Sequence, residues 1–236
     1  MIKIENTEVF GWEAAIRGMR NPKDSWHLSD SYSTYVESET GNAAKFEFFI
    51  GEKDMKLMQN LRRAGSDHRK YLRMIDVQVD ITAPLYWWKE FDTYKVGTVA
   101  DSCSTMHKIQ AYEFTLDMFS HEHLTVGSKV CLRMTIDLLN RARDKFLETG
   151  EKDWWWQMIQ LLPSSFNQKR TVQLNYEVLL HMYNSRKGHK LDEWQTLREW
   201  IEQLPYFKEI CLDEPEHVCN CGGTCGGNCK CGGHHE

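Results

Sequence analysis

The sequence predicts an α+β fold in which one helix-rich domain contains a small sheet. The run Leu72–Thr82 alternates apolar and polar residues, as in a strand with one buried face. Several later segments instead carry apolar residues at helical spacing. The 236 residues are 41% hydrophobic, which is enough for one core and a tail. We therefore expect one domain at residues 1–212 and a tail rich in Cys, Gly and His at residues 213–236.

Four elements and a loop are predicted before this strand. An edge strand is expected at Met1–Glu8, a helix at Trp12–Arg20 and a second strand at Lys45–Ile50. Residues 23–44 are polar and rich in Ser, which is typical of a long loop. Glu52–Ala64 is predicted as a helix because its apolar residues form one stripe and Gly follows it.

The C-terminal part of the domain is predicted to be mainly helical. Ala83-Pro84 turns the chain into an aromatic-rich helix. Five later segments share helical spacing of their apolar residues. They are Ala111–Phe119, Val130–Leu147, Asp153–Leu162, Arg170–Arg186 and Leu191–Leu204.

Charge and hydropathy narrow the class of ligand. The formal net charge is −5 and the sequence pI is about 6.1, so no global basic field favours a polynucleotide, and a nucleotide fits better. The sequence contains neither an apolar run of membrane-spanning length nor the pattern of a secretion signal. We therefore expect a cytoplasmic protein that does not interact with membranes.

Two segments carry a more specific pattern. They are GSDHRKYLRMIDVQVDITAPLYWWKEFDTYK and LLPSSFNQKRTVQLNYEVLLHMYNSR. In spacing they resemble the flavin-dependent thymidylate synthases, and the resemblance covers most of residues 50–204. It implies that family's fold, a helix-rich single domain with a small mixed or antiparallel sheet, and its homotetrameric assembly.

The resemblance also implies roles for individual residues. His68, Lys95, Asn175 and His181 match positions that bind the flavin. Arg186 matches the arginine that holds the pyrimidine and stabilises its ionised form, and it is the expected catalytic residue. The residues implied for substrate binding are Glu90, Ser102, Ser104 and Arg186.

Several family residues are replaced in this chain. Thr93-Tyr94-Lys95 stands where the family has Arg-His-Arg, and Glu177 and Ile159 stand where it has arginines. Each arginine removed from a phosphate costs roughly 1.5 to 3 kcal/mol of binding. Other cations lie in or beside the same motifs, although a lysine lacks the guanidinium fork. They are Lys89, Lys95, Lys108, Lys169 and Arg170.

The resemblance implies an activity and its cofactors. The reaction is reductive methylation of dUMP, or of a related deoxypyrimidine monophosphate, at C5 with methylenetetrahydrofolate, reduced FAD and NADPH as the expected reductant. The alternative is a catalytically divergent flavin- or nucleotide-binding protein with a metal-binding tail. Without the resemblance, Arg186 would be interpreted as a solvated helix residue, His68 as a loop histidine and Asn175 as a satisfied interior amide.

Tryptophan clusters and a cysteine cluster remain. Trp87-Trp88 and Trp154-Trp155-Trp156 are typical of cores or subunit interfaces, and we favour interfaces. In the tail, five thiols within a Gly-rich segment could wrap a soft metal ion such as zinc. They are Cys219, Cys221, Cys225, Cys229 and Cys231. The alternative is a disordered tail with incidental thiols.

Overall fold

A computed structural model describes residues 2–37 and 44–212, which form a four-stranded sheet, a two-stranded hairpin and eight α-helices. The strands are β1 Lys3–Phe10, β2 Tyr32–Glu37, β3 Ala44–Phe49, β4 Asp76–Pro84, β5 Val99–Ser102 and β6 Asn167–Asn175. The helices are α1 Trp12–Arg20, α2 Glu52–Arg63, α3 Leu85–Phe91, α4 Thr105–Lys108, α5 Val126–Thr149, α6 Lys152–Leu161, α7 Tyr176–Ser185 and α8 Asp192–Glu202.

The four-stranded sheet is antiparallel and has the strand order β1-β4-β6-β5. β4 lies between β1 and β6, and its register with β6 runs from Asp76 opposite Asn175 to Pro84 opposite Asn167. The apolar residues of the alternating run are fully buried, while Gln78 on the other face is exposed. The predicted half-buried strand and the small antiparallel sheet are therefore confirmed.

The main hydrophobic core covers the buried face of this sheet. It combines residues of β4 and β6 with residues of α1, α3, α7 and α8. Trp87 and Trp88 lie inside it, and the Trp88 indole N–H donates to the Gln168 carbonyl oxygen at 3.0 Å. The expectation that these two tryptophans pack at a subunit interface is wrong, because the core of their own chain encloses both rings. Full burial also removes them as stacking surfaces for a flavin.

A buried ion pair joins α1 to α2. Arg20 Nε lies 2.7 Å from Asp54 Oδ1, and both side chains are at most 5% exposed. The hydroxyls of Ser29 and Ser31 each donate to Asp54 Oδ2 at 2.7 Å. Burial alone would raise the pKa of Asp54, but these serine hydrogen bonds and Arg20 lower it below its usual value. The carboxylate therefore remains ionised inside the domain.

A second, smaller core lies between α5, α6 and the segment before them. Leu132, Ile136 and Leu139 of α5 pack with Met158 of α6 and with Phe119. The opposite side of α5 carries exposed apolar side chains at four-residue spacing, which places them on one face. We call this set the α5 stripe, and it consists of Val126, Val130, Met134 and Leu138.

The β2–β3 hairpin lies where the sequence predicts a loop up to residue 44. Aromatic side chains pair across it, with ring centroids 5.4 Å apart for Tyr32 and Phe49 and 5.2 Å apart for Tyr35 and Phe46. Such cross-strand pairs stabilise a hairpin that a Ser-rich composition conceals.

Two helix predictions are also wrong. Residues 111–119 contain only a short 3-10 turn. The Asn140 side chain binds both the backbone N–H and the backbone C=O of Phe114, so these groups are not available to a helix. The Phe114 ring packs against Phe119. The predicted helix Arg170–Arg186 is strand β6 followed by α7. Val172 and Leu174 alternate as in a strand, and Asn175 caps the helix that follows.

Candidate functional site

Asn175 marks the junction of β6 and α7. Its Oδ1 accepts the backbone N–H of Val178 at 3.1 Å, as an N-cap residue does. Its Nδ2 donates to the Gly97 carbonyl oxygen at 3.5 Å, and Gly97 has a φ of +76° that favours glycine. Both ends of this amide therefore hold the α3–β5 connection against α7.

Arg186 caps the other end of α7 and lies against α3 and α8. Its Nε donates to the Tyr94 hydroxyl at 2.8 Å, and its Nη1 lies 2.8 Å from Glu90 Oε2. The guanidinium carbon is 4.3 Å from the centroid of the Trp194 ring. Since the Arg186 side chain is only 16% exposed, this combination of stacking and hydrogen bonds fixes its orientation.

Glu90 collects several donors on one oxygen. Besides Arg186, Glu90 Oε2 accepts from the Trp194 indole N–H at 3.1 Å and lies 3.1 Å from His189 Nε2. The carboxylate itself is 36% exposed. Arg186 therefore has a carboxylate partner within its own chain, and two of the four expected substrate-binding residues contact each other.

His181 and Lys95 approach the same end of the molecule through Tyr94. The His181 ring stands edge-on to the Tyr94 ring, with centroids 5.6 Å apart. Both His181 and Lys95 are exposed, so their polar groups are accessible to a ligand. Arg186, Glu90, Tyr94 and His181 consequently form one continuous surface, which we call the α7 cluster.

The loop that carries His68 reaches the first turn of α7. Arg69 Nε lies 3.1 and 3.0 Å from the two carboxylate oxygens of Glu177. Glu177 thus binds the neighbour of His68. His68 is exposed. The structure brings the four expected flavin-binding residues to α7 and to the two loops beside it.

Ser102 and Ser104 lie elsewhere. Ser102 pairs with Arg170 in β6, five residues before Asn175, which corresponds to about 17 Å along a strand. The Ser104 hydroxyl caps the short helix α4 by accepting the His107 N–H at 3.1 Å, and it lies 2.8 Å from His107 Nδ1. Among the described residues, no hydrogen bond links Ser102 or Ser104 to the α7 cluster.

The alternative cations divide into two groups. Lys169 binds Asp80 at 2.9 Å and Arg170 binds Asp92 at 2.8 Å, so both are engaged in ion pairs. The ammonium-bearing side chains of Lys89, Lys95 and Lys108 are exposed. Ile159, where the resemblance implies an arginine, packs against the second hydrophobic core.

Sequence reasoning missed two residues that contact the α7 cluster. Trp194 is fully buried and His189 follows α7, and both contact Glu90. Neither belongs to the two segments that carry the resemblance. Only the packing of α8 against α3 brings them to Glu90.

Within the described parts of the chain, no group of three or more His, Cys, Asp or Glu residues could hold a metal ion. The five tail cysteines lie outside the described residues. No helix among the described residues is both long and apolar enough to cross a membrane.

Comparisons with known proteins find similarity in structure alone. No family model matches the sequence, and no curated protein matches it. Two crystal structures of the flavin-dependent thymidylate synthase ThyX from Helicobacter pylori, both with FAD and dUMP, match with TM-scores of 0.61 and 15% identity. Each match covers 89% of this chain and 97% of that one. The chain therefore shares the fold of a flavin-dependent thymidylate synthase over nearly its whole described length.

Proposed function

We propose that the protein is a flavin-dependent thymidylate synthase-like enzyme. It methylates dUMP, or a related deoxypyrimidine monophosphate, at C5 with methylenetetrahydrofolate, reduced FAD and NADPH as reductant. One observation supports this most strongly. In a fold shared with an enzyme that binds FAD and dUMP, Arg186, Glu90 and His181 lie together at the α7 cluster.

The donors on α7 and on the two loops beside it fit an anionic aromatic ligand. His68, Lys95 and His181 are exposed and can donate to flavin oxygens or phosphates. Asn175 contributes differently, since its amide holds the loop that carries Tyr94 and Lys95. When bound, the reduced flavin supplies the reducing equivalents. The chain's own task is to orient the two reactants and to keep Arg186 beside the charge that develops on the pyrimidine.

A second function is favoured by the Arg186–Glu90 pair. A carboxylate at 2.8 Å neutralises the cation that should stabilise the pyrimidine anion. A chain of this kind could bind a flavin or nucleotide without methylating it. The two functions differ in turnover and not in ligand content.

Growth of a thymidine-requiring host separates these functions. The proposal expects the wild-type chain to restore growth without thymidine and Arg186→Ala to fail at equal expression. Purified wild-type protein should also convert dUMP to dTMP under anaerobic conditions when methylenetetrahydrofolate, FAD and NADPH are supplied. Ligand binding without either result would contradict the synthase proposal and support the second function.

We also propose that the site is completed by a homotetramer. Ser102 and Ser104 form no hydrogen bond with Arg186 among the described residues, and the α5 stripe leaves an apolar helix face exposed. A second copy packing on the stripe would bury it. Met134→Glu should yield a smaller species in sedimentation, whereas Arg73→Glu, at an exposed position outside α5, should not. Equal sedimentation of all three proteins would contradict this.

For the tail we propose zinc binding by Cys219, Cys221, Cys225, Cys229 and Cys231. Thiolates are good zinc ligands, and ligation would offset the entropy of ordering a Gly-rich segment. The full-length chain with all five changed to Ser should lose zinc in metal analysis. A chain with Cys103, Cys131 and Cys211 changed instead should retain it. Equal zinc in both, or none in the wild type under reducing conditions, would contradict the proposal.

A further inference from the structure

A basic pocket lies on the side of α7 that faces α2 and α8. Its volume is about 620 Å³, and five cationic side chains line it. They are Arg62, Arg63, Arg69, Lys187 and Arg198. None of the described residues that line it is acidic. A concentration of positive charge around one cavity favours an anionic occupant.

Four of these cations are held by the surrounding protein. Arg63 Nη1 donates to Asn60 Oδ1 at 3.2 Å. Arg62 Nε donates to the Ile210 carbonyl oxygen at 3.2 Å. Arg198 Nε donates to the Tyr183 carbonyl oxygen at 3.1 Å, and its guanidinium carbon lies 4.3 Å from the centroid of the Tyr183 ring. Arg69 binds Glu177 from beside the pocket. These contacts therefore preorganise the arginine side chains of the pocket for an anion.

The pocket is distinct from the α7 cluster. Leu180, Tyr183, Asn184 and Lys187 of the α7 region line it at spacings of three and four residues, so they share one helix face. His181, one residue from Leu180, points about 100° away around the helix and meets Tyr94. Ligands of the proposed enzyme and an occupant of this pocket would therefore contact different faces.

The chain itself supplies an anion at the rim of the pocket. Leu212, the last described residue, lines the pocket, and the next four residues are Asp213, Glu214, Pro215 and Glu216. We propose that this acidic segment docks in the basic pocket and tethers the cysteine-rich tail beside α7. The docking rests on charge complementarity and on the point where the segment leaves the domain.

The reach of the segment suits this occupant. Four extended residues span at most about 14 Å, so the carboxylates cannot move far from the pocket rim. A tether this short gives an effective concentration in the millimolar range, which favours the segment over dilute free anions. The residue before a proline is biased away from the helical region, so Pro215 disfavours a helix at Glu214.

Zero-length cross-linking of the full-length protein tests the docking. A carbodiimide joins an amine to a carboxylate only when the two are in contact. We expect an amide between Lys187 and one of the three acidic residues, identified by mass spectrometry of tryptic peptides. The internal control is Lys190, which is exposed and lies, like Lys187, between α7 and α8 but does not line the pocket. We expect Lys190 to react several-fold less.

Charge variants then test why the contact forms. Arg63→Glu should lower the yield at Lys187 roughly five-fold, whereas Arg73→Glu, an exposed arginine outside the pocket, should not change it. At about 1 M NaCl, where the Debye length is about 3 Å, the yield should also fall. Equal yields at Lys187 and Lys190, or a Lys187 yield that rises with protein concentration, would overturn the proposal. Circular dichroism of each variant checks the fold.

Discussion

Two arginine–carboxylate pairs in this chain differ in a way that separates structure from function. Arg20 and Asp54 are buried, and two serine hydroxyls satisfy the carboxylate further. Arg186 and Glu90 are as close, yet Glu90 is 36% exposed and the pair borders His181 through Tyr94. Because Arg20 and Asp54 are enclosed, their pair can hold α1 and α2 together. Because Glu90 is accessible, the Arg186–Glu90 pair can contact a ligand.

The largest effect is expected at the enclosed pair. Asp54→Asn preserves shape but leaves the Arg20 cation buried without a counter-charge, which should cost about 3 to 5 kcal/mol of unfolding free energy. Asp92→Asn is the matched control, because Asp92 pairs with Arg170 while 51% exposed and should cost about 1 kcal/mol or less. Urea denaturation measures both. Equal losses would mean that enclosure does not distinguish the pairs.

At the accessible pair, activity should change more than stability. Arg186→Lys keeps the charge but loses the fork and the stacking on Trp194, so turnover of dUMP should fall roughly 10²-fold. Arg170→Lys is the matched control, because Arg170 also binds a carboxylate at 2.8 Å and lies 4.2 Å from the centroid of a tryptophan ring. If both variants lose activity equally, Arg186 is merely structural.

The pH dependence of stability sharpens the contrast. The folded-state pKa of Asp54 is lowered, so its contribution is present above the unfolded value of about 3.9 and is lost as pH falls through the folded pKa. Ser31→Ala removes one lowering hydrogen bond and should cost about 1.5 to 3 kcal/mol at neutral pH and shift acid unfolding to higher pH. Ser33→Ala, whose hydroxyl binds Glu13 near the surface, should shift it less.

The smallest effect is expected from Glu90→Gln. Removing this charge frees Arg186 for an anionic nucleotide, so dUMP should bind about five-fold more tightly by isothermal titration calorimetry. Unchanged affinity would show that the carboxylate does not compete with the nucleotide. Weaker binding would show that Glu90 itself holds the substrate.

The sequence correctly predicted those elements whose spacing of apolar residues fits only a strand or only a helix. β4 alternates over its whole length, and α2 and α8 show a clear apolar stripe, so period alone located them. Around Asn175 the two-residue period of strand β6 gives way to the helical period of α7 within a few residues. Because we interpreted the whole segment Arg170–Arg186 as one helix, we missed the strand. Glu90 contacts Arg186 in the structure, whereas His189 and Trp194 reach Glu90 through tertiary packing that no local pattern encodes.

Flavin binding by the purified protein tests the first requirement of the proposed synthase, whereas turnover of dUMP separates a synthase from a protein that only binds its ligands. We predict that the protein, prepared anaerobically, shows flavin absorbance or binds added FAD at tens of micromolar or below. His181→Ala should weaken that binding, since this exposed side chain beside Tyr94 is an expected flavin contact. Absence of flavin in the purified protein, together with no FAD binding in that range, would contradict the proposed function.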